Sequence, residues 1–462
     1  GHHSRCLYKI VPHAKRWLLS QDFESQKTGL TFLTSDCLVN GNLLDEDTAA
    51  VVSERLSHWL SSTSLVQAPN PRSLNLFRKD EESMVTEVDG TPSTNMFTAL
   101  NIGQYYSEEQ LMNIYSYSCL YQWLCNMAFH FGTAPQPRPE EGASEEDTKY
   151  CPNKFRMDKG TVTKVLGNLV NKSVDYCFRI IDQCERKAKV QVDADLQLSC
   201  LLEAVRILDI ICSLDEDQTA RVFHEVKRLY MRISQESRYS TVLVYVLTFF
   251  FNHSASVVHD PRDLYNNFFT SVVPTNLNNQ GFVMAVVNFV SKNLPEIAEK
   301  TDILTDYFPS LFKILAWHPR LFLKEFTSIL PMTMNLDTSV EIFHLLLDLP
   351  CTTASLEVME KAKKVESPAQ NLEAEPSNSL EAFNNVRYKP LFLYITRSKG
   401  GQGDTIDRYT RAANINPLNP TPLGLIFPCI WAILLSASMS KVNIDDNCVD
   451  LELLFRSRSN CR

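Results

Sequence analysis

The sequence predicts an all-α protein, an α-solenoid of stacked antiparallel helix pairs of the HEAT or armadillo kind. Three observations carry that expectation. Helical periodicity recurs throughout, while sustained period-two alternation is hard to find. The connections are short and carry proline stop signals, at Asp260-Pro261, Leu294-Pro295, His318-Pro319 and Leu330-Pro331. Glycine is scarce: fourteen in 462 residues is about 3%, against a usual level of about 7%. Nucleotide-binding α/β folds and β-barrels need glycine at tight turns and close backbone approaches, so both are disfavoured. With 44% apolar and 21% charged residues the chain can bury a core. Its length implies two or three domains or one elongated repeat array.

The elements follow in chain order. Asp45-Glu-Asp47 supplies an acidic helix start, and Val52, Leu56, Trp59 and Leu60 form the stripe behind it. Ser107-x-x-Gln110 reads as a capping box opening a long helix through Leu111, Ile114, Leu120, Trp123, Leu124, Met127 and Phe131. Residues 196–213 give the cleanest pattern, with Leu198, Leu201, Leu202, Val205, Leu208 and Cys212 on one face and Glu203 and Arg206 away from it. Further helices are predicted near 217–234, 261–272, 280–293, 303–317, 320–330 and 338–349. Thr241 to Phe251 is a continuous apolar run; its length and helical neighbours favour a buried helix over a strand. Short turns between such helices point to stacked pairs that each bury an apolar face against the next. A crisp tetratricopeptide or ankyrin motif is missing, so a looser array is expected, with a globular helix bundle as the alternative.

Two interruptions have the composition of solvated linkers. Residues 132–158 hold Pro135, Pro137, Pro139, Pro152 and an acidic run from Glu140 to Asp147, and residues 358–378 mix Lys361, Lys363 and Lys364 with acids and two prolines. The expected organisation is therefore an N-terminal segment 1–37, a helical-repeat region 38–131, a linker 132–158, the main repeat region 159–357, a linker 358–378, a helix in 379–398 and a divergent tail 399–462.

The chemistry-bearing patterns favour bland readings. The chain has no Gly-Lys dipeptide for a phosphate loop, and Gly400-Gly401-Gln-Gly403 follows no evident strand. Ser310-Leu-Phe-Lys313 fits S-x-x-K but lacks the companion motifs; Leu311, Phe312, Leu315 and Ala316 form a core face and Lys313 is expected in solvent. H-E-x-x-H spacing is absent, and His253 and His259 flank a predicted turn. Leu346-Leu347-Asp348-Leu349 begins like a clathrin box, but Pro350 stands where the closing acid belongs and the segment continues a helical stripe. The basic clusters Arg186-Lys-Ala-Lys189 and Lys361-Ala-Lys-Lys364 hold no aromatic residue for base stacking. The acidic balance, 45 basic against 54 acidic residues and a net charge of −9, disfavours nucleic acid as a direct partner. Neither catalytic, cofactor-binding nor metal-ligating residues are expected, and the partner-binding residues are not specified by any motif.

Thirteen scattered cysteines without a C-x-x-C pair read as buried free thiols of a reducing compartment. Gly1 opens the chain without an apolar leader, so a cytoplasmic protein is the expectation. Leu423 to Met439 is largely apolar but 17 residues long and broken by Pro428, short of a membrane span of about 20.

Several segments resemble one family, the zeta subunit of the fifth adaptor protein complex. They are Val85-Thr-Glu-Val-Asp-Gly90 with Asn95-Met-Phe-Thr-Ala-Leu100, Leu201-Leu-Glu-Ala-Val-Arg-Ile-Leu-Asp209, Leu311-Phe-Lys-Ile-Leu-Ala-Trp317, and Glu325-Phe326 with Ile329-Leu-Pro331. His344-Leu-Leu-Leu-Asp-Leu-Pro-Cys351 is the most specific, followed by Ser379-Leu-Glu-Ala-Phe383. The resemblance spans about Leu38 to Arg397, and residues 1–35 and 399–462 fall outside it. It implies a non-enzymatic large subunit of a heterotetrameric coat adaptor, with a second large, a medium and a small chain as partners. It also implies spatacsin and spastizin as partners, late endosomes and lysosomes as the place of action, and work without clathrin; the acidic charge balance, without a basic amphipathic helix or lipidation signal, predicts recruitment to membrane through partners. The alternative that the resemblance carries is a nuclear factor in homologous-recombination repair of DNA double-strand breaks.

Overall fold

The structure, a computed structural model, describes residues 2–35, 44–61, 63–69, 83–131, 159–335, 338–364, 377–386 and 388–400. The expected linker 132–158 and the tail from 401 onward, with its apolar run 423–439, lie outside the described residues. Two compact units divide the chain, Gly1–Phe268 and Phe269–Arg462. Among the described residues the only β-pairing is a set of isolated bridges; the rest of the regular structure is helical.

The first unit opens with a helical hairpin of α1 (His2–Leu18) and α2 (Phe23–Leu33). Asp22 caps α2 by accepting the Ser25 N–H at 2.8 Å. A Cβ on Gly29 would stand 2.7 Å from Ala14 O and Leu18 N, so the two backbones approach this closely only with glycine there. In α3 (Glu46–Ser61) the expected stripe of Val52, Leu56, Trp59 and Leu60 is buried, and the Asp45 carboxylate accepts the Thr48 N–H at 2.7 Å.

The capping box of α4 (Glu108–Phe131) is formed as predicted: Ser107 N–H donates to Gln110 Oε1 at 2.9 Å and Gln110 N–H to Ser107 Oγ at 3.2 Å. Its first turns are not the expected apolar stripe. Leu111 is exposed, and Met112, Asn113, Ser116 and Tyr117 face inward. Asn113 is drawn in because it donates to Trp59 O at 2.8 Å and accepts from the Tyr176 hydroxyl at 2.7 Å, which satisfies it without water.

After α5 (Lys159–Leu166) come α6 (Leu169–Gln183), α7 (Gln191–Leu214), α8 (Thr219–Ile233) and α9 (Ser240–His253). Residues 241–251 are thus helical, as their length predicted. α7 touches α4, α6, α8 and α9. That surrounding explains why Cys200, Ala204, Ile207 and Ile211 are buried along with the expected Leu201, Val205 and Leu208, and why Glu203 and Arg206 are half-buried rather than clear of the core. Burial raises the Glu203 carboxyl, opposed by Arg206 2.9 Å away.

Side chains on α6 and just past its end pair in order with those along α8. Asp175 meets Arg221 at 2.7 Å, Asp182 meets Arg228 at 2.8 Å and Glu185 meets Arg232 at 2.6 Å. The sequence separations are 46, 46 and 47 residues, so α6 and α8 run parallel with α7 as the antiparallel return. The α7–α9 layer repeats the relation at 43 and 44 residues, where Asp209 binds Asn252 at 3.0 Å and His253 at 2.9 Å. Helix pairs stacked at such a spacing are those of a helical-repeat solenoid.

The last helix of the first unit is α10 (Arg262–Asn267), followed at the boundary by a π-helical turn, Phe268–Val272. Besides the short turns Val273–Thr275 and Ile303–Asp306, the second unit contains α11 (Gln280–Lys292), α12 (Leu294–Lys300), α13 (Phe308–Trp317), α14 (Pro319–Thr333), α15 (Ser339–Leu347), α16 (Leu349–Lys363), α17 (Ser379–Asn384) and α18 (Lys389–Ile395). Here side chains reach the backbone one repeat back. Ser310 Oγ donates to Phe269 O at 2.7 Å and His318 Nε2 lies 2.8 Å from Leu277 O, both across 41 residues. Thr353 Oγ1 donates to Ala316 O at 2.7 Å, across 37.

Proline opens α12, α13, α14 and α16, where its missing N–H is no loss. Leu330-Pro331 departs from its predicted role: α14 continues to Thr333, because a proline in the last turn removes a single hydrogen bond. α16 also runs to Lys363, six residues into the segment expected as a linker, carrying Leu356 and Met359 against the unit.

Candidate interaction site

The 83–106 segment, irregular apart from its bridges, is bound to α6 through a buried carboxylate. Glu87 is 2% exposed. It accepts from Arg179 at 2.6 Å, from Ser93 Oγ at 2.8 Å and from Gln183 Nε2 at 2.9 Å. Thr98 Oγ1 donates to Gln183 Oε1 at 2.5 Å, and the Tyr176 hydroxyl accepts the Ala99 N–H at 2.7 Å. The turn that presents Glu87 needs Gly90, whose φ is +81°. A buried acid held by one arginine and two neutral donors is a structural fastening; it leaves no oxygen aimed at a ligand. Sequence reading missed it, although a lone acid between Val85 and Val88 was a usable signal.

Each residue flagged in the sequence now has a place. Ser310 and Lys313 share α13, but the serine hydroxyl is committed to carbonyls, Phe269 O at 2.7 Å and Ser398 O at 2.9 Å. Lys313 is not in solvent as expected: it is 3% exposed. Residues 308–316 are all buried, so α13 is a central helix with no solvent face to offer the lysine. Burial, then the Arg397 cation, holds its amine down to about 7 from 10.5. His253 is a structural partner of Asp209, and His259 packs its ring on Phe223 and Phe250 at 5.1 and 5.7 Å. Among the described residues no group of three His, Cys, Asp or Glu could hold a metal ion.

The clathrin-like motif is split between two helices. α15 stops at Leu347, Asp348 is the break, and Leu349-Pro350 starts α16. Leu345 is buried and Leu347 exposed, so the segment is a helix corner rather than a wholly buried end. In the basic clusters, Arg186 donates to Thr91 at 2.6 Å, while Lys363 and Lys364 lie 3.6 and 3.8 Å from Glu360. Cys177, Cys184, Cys200 and Cys212 are buried free thiols, as expected. Burial pushes Cys200 and Cys212 up to about 12, which keeps them unreactive. Gly400 is the one described residue of the glycine cluster, and its N–H donates to Asp306 O at 2.7 Å.

The second unit holds a small cleft of about 30 Å³, room for about one water molecule. Pro274, Thr275, Leu277, Asn278 and Trp317 line it together with Leu356, Met359, Glu360 and Lys363 of α16. Leu356, Met359, Glu360 and Lys363 recur at i, i+3, i+4 and i+7, one face of a helix. A cleft of that size has no room for a partner's side chain, and its lining presents no activated nucleophile. Among the described residues no single helix is long and apolar enough to cross a membrane; α15 and α16 pass by composition only as a pair bent by 69°.

Three family profiles match the chain. They are described as AP-5 complex subunit zeta-1, TPR repeats (residues 15–147), AP-5 complex subunit, vesicle trafficking (196–313), and AP-5 complex subunit zeta-1, C-terminal TPR repeats (325–417). The first begins at residue 15 and the last reaches 417, so similarity extends beyond the 38–397 read from the sequence. Among curated proteins, human AP-5 complex subunit zeta-1 is 31% identical over 363 residues, 77% of this chain and 44% of its own length. The mouse protein of the same name is 30% identical over 368 residues, 77% of this chain and 45% of its own. The chain therefore spans less than half the length of the curated relatives it matches. No solved structure matches it.

Proposed function

This chain belongs to the AP-5 complex subunit zeta-1 family, and from that premise we propose that it is a large, non-enzymatic subunit of that adaptor complex, working in vesicle trafficking. The observation that carries the reading is the recurrence of contacts one helix pair apart, across 46 residues in the first unit and 41 and 37 in the second. Stacked pairs make an extended surface that holds other chains by shape and needs no catalytic residue. The partners in this reading are the other large, the medium and the small subunits of AP-5, together with spatacsin and spastizin.

Its place of work is the cytoplasmic side of late endosomes and lysosomes, reached through those partners rather than through lipid. The acidic balance supports that route, since an anionic surface repels a chain of net charge −9. Work without clathrin is supported by the break at Asp348, which leaves Leu346 to Leu349 no extended peptide to add to a partner groove. Affinity purification of the tagged chain from cytosol tests the reading. Recovery of a second large, a medium and a small adaptor chain is expected; recovery of none under gentle lysis overturns it.

A further inference from the structure

The turn after Glu87 ends in an exposed tip, Gly90-Thr91-Pro92. Two backbone bonds close it: Gly90 N–H donates to Glu87 O at 2.8 Å, and Glu87 N–H donates to Thr91 O at 2.7 Å. Pro92 has no N–H, so the link after Thr91 adds no donor of its own. Among the described residues Thr91-Pro92 is the only Ser/Thr-Pro dipeptide; Ser367-Pro368 and Thr421-Pro422 lie outside them.

The Thr91 hydroxyl sits between an acid and a base. It donates to Asp89 Oδ1 at 2.7 Å and accepts from Arg186 Nη1 at 2.6 Å. Arg186 belongs to the turn between α6 and α7, and its backbone is anchored separately: its carbonyl accepts from Gln197 Nε2 at 2.8 Å. Lys189 of the same turn also reaches the tip. Its N–H donates to Val88 O at 3.2 Å, and a Cβ on Gly90 would stand 2.6 Å from Lys189 Nζ. The neighbouring acids are turned elsewhere, Glu87 to Arg179 and Glu185 to Arg232, each at 2.6 Å. Asp89, 3.7 Å from Arg186, is the carboxylate at the tip itself. Arg186 and Lys189 thus meet a single acid beside an exposed hydroxyl. A guanidinium bonded to a neutral hydroxyl gains about half of what an anion in the same place would give it.

We propose that Thr91 is a phosphorylation site for a proline-directed protein kinase, and that Arg186 and Lys189 capture its phosphate, fastening the 83–106 segment to the α6–α7 turn. The hydroxyl oxygen attacks the γ-phosphorus of ATP, and the bond from that phosphorus to the β-phosphate oxygen breaks. ADP leaves, and the hydroxyl proton passes to the base of the kinase. The product carries about two negative charges at neutral pH and three acceptor oxygens, placed where the hydroxyl already meets Arg186. Asp89 loses the hydroxyl as a donor and is repelled; its side chain is partly exposed and turns to water. The cations decide the sign, since a phosphate beside Asp89 alone would loosen the turn.

The test starts from the full chain incubated with a purified proline-directed kinase, ATP and Mg²⁺, followed by peptide mass spectrometry. Phosphate is expected at Thr91 under native conditions and is absent there in Thr91→Ala. Hydrogen exchange then reads the capture. Amides of 83–106 should exchange about tenfold more slowly in the phosphorylated chain, those of α14 should not change, and phosphatase should restore the original rate. The double variant Arg186→Gln, Lys189→Gln should accept the phosphate and show no such slowing. Should that variant fail to fold, about 1 M salt on the phosphorylated wild type replaces it, because screening should remove most of the gain. Phosphate only at Ser367 or Thr421 overturns the proposal, as does protection of 83–106 that phosphate at Thr91 leaves unchanged or lowers. A gain that survives in the double variant or in high salt overturns it as well.

Discussion

The two units solve the same stacking problem with different bonds. Between α6 and α8 the register shows at the surface, in three ion pairs whose side chains are about a quarter to a half exposed and which lie over the apolar layer that holds the helices together. In the second unit it is set from inside, by Ser310, His318 and Thr353 reaching carbonyls one repeat back. Helix length does not separate the two, since α14 and α16 have 15 residues like α6 and α8. The difference is local to α13, whose ten residues are nearly all buried, its lysine included.

The largest expected effect breaks the first unit at its fastening. Glu87→Ala should destabilise it by about 3–5 kcal/mol, because Arg179 is then left buried without its carboxylate. Urea unfolding followed by hydrogen exchange should show 83–106 and α6 losing protection together, with the second unit unchanged. Simultaneous weakening of both units would mean that they are not independent.

Next in size, and opposite in sign, Lys313→Met should stabilise the second unit at neutral pH by about 2–4 kcal/mol. The unfolded chain protonates this lysine up to its ordinary 10.5, while the folded chain does so only below about 7. Wild-type stability should therefore climb between pH 7 and 10, and the advantage of the variant should shrink over the same range. A variant less stable than wild type at pH 7 would show that the lysine is satisfied in the fold.

The smallest effect belongs to the ladder. Arg228→Ala should cost only about 0.5 kcal/mol, and added salt should weaken the wild-type first unit by a similar amount. A loss of several kcal/mol would place the register in these pairs rather than in the apolar layer beneath them.

The architecture was legible because its signals are local. The capping box at Ser107 and Gln110, the stripe of α3 and the length of the 241–251 run each depend on neighbours a few residues away. What was hidden depends on partners tens of residues distant. Asn113 is drawn into the core by Trp59 and Tyr176, and Glu87 by Arg179. Lys313 followed the amphipathic rule on paper and broke it in the fold, since the rule presumes that a helix keeps one face in water. The small cleft at Trp317 escaped notice because its lining joins Leu277 to α16, about 80 residues later in the chain.

The central claim, that this is a scaffold subunit built from stacked helix pairs, is tested most directly by the native mass of the chain in a gentle cytosolic lysate. Size exclusion with immunodetection, calibrated by light scattering, should place it in an assembly several times its own 52.7 kDa, together with the other AP-5 chains. Elution of all of it at the mass of the single chain would contradict the account.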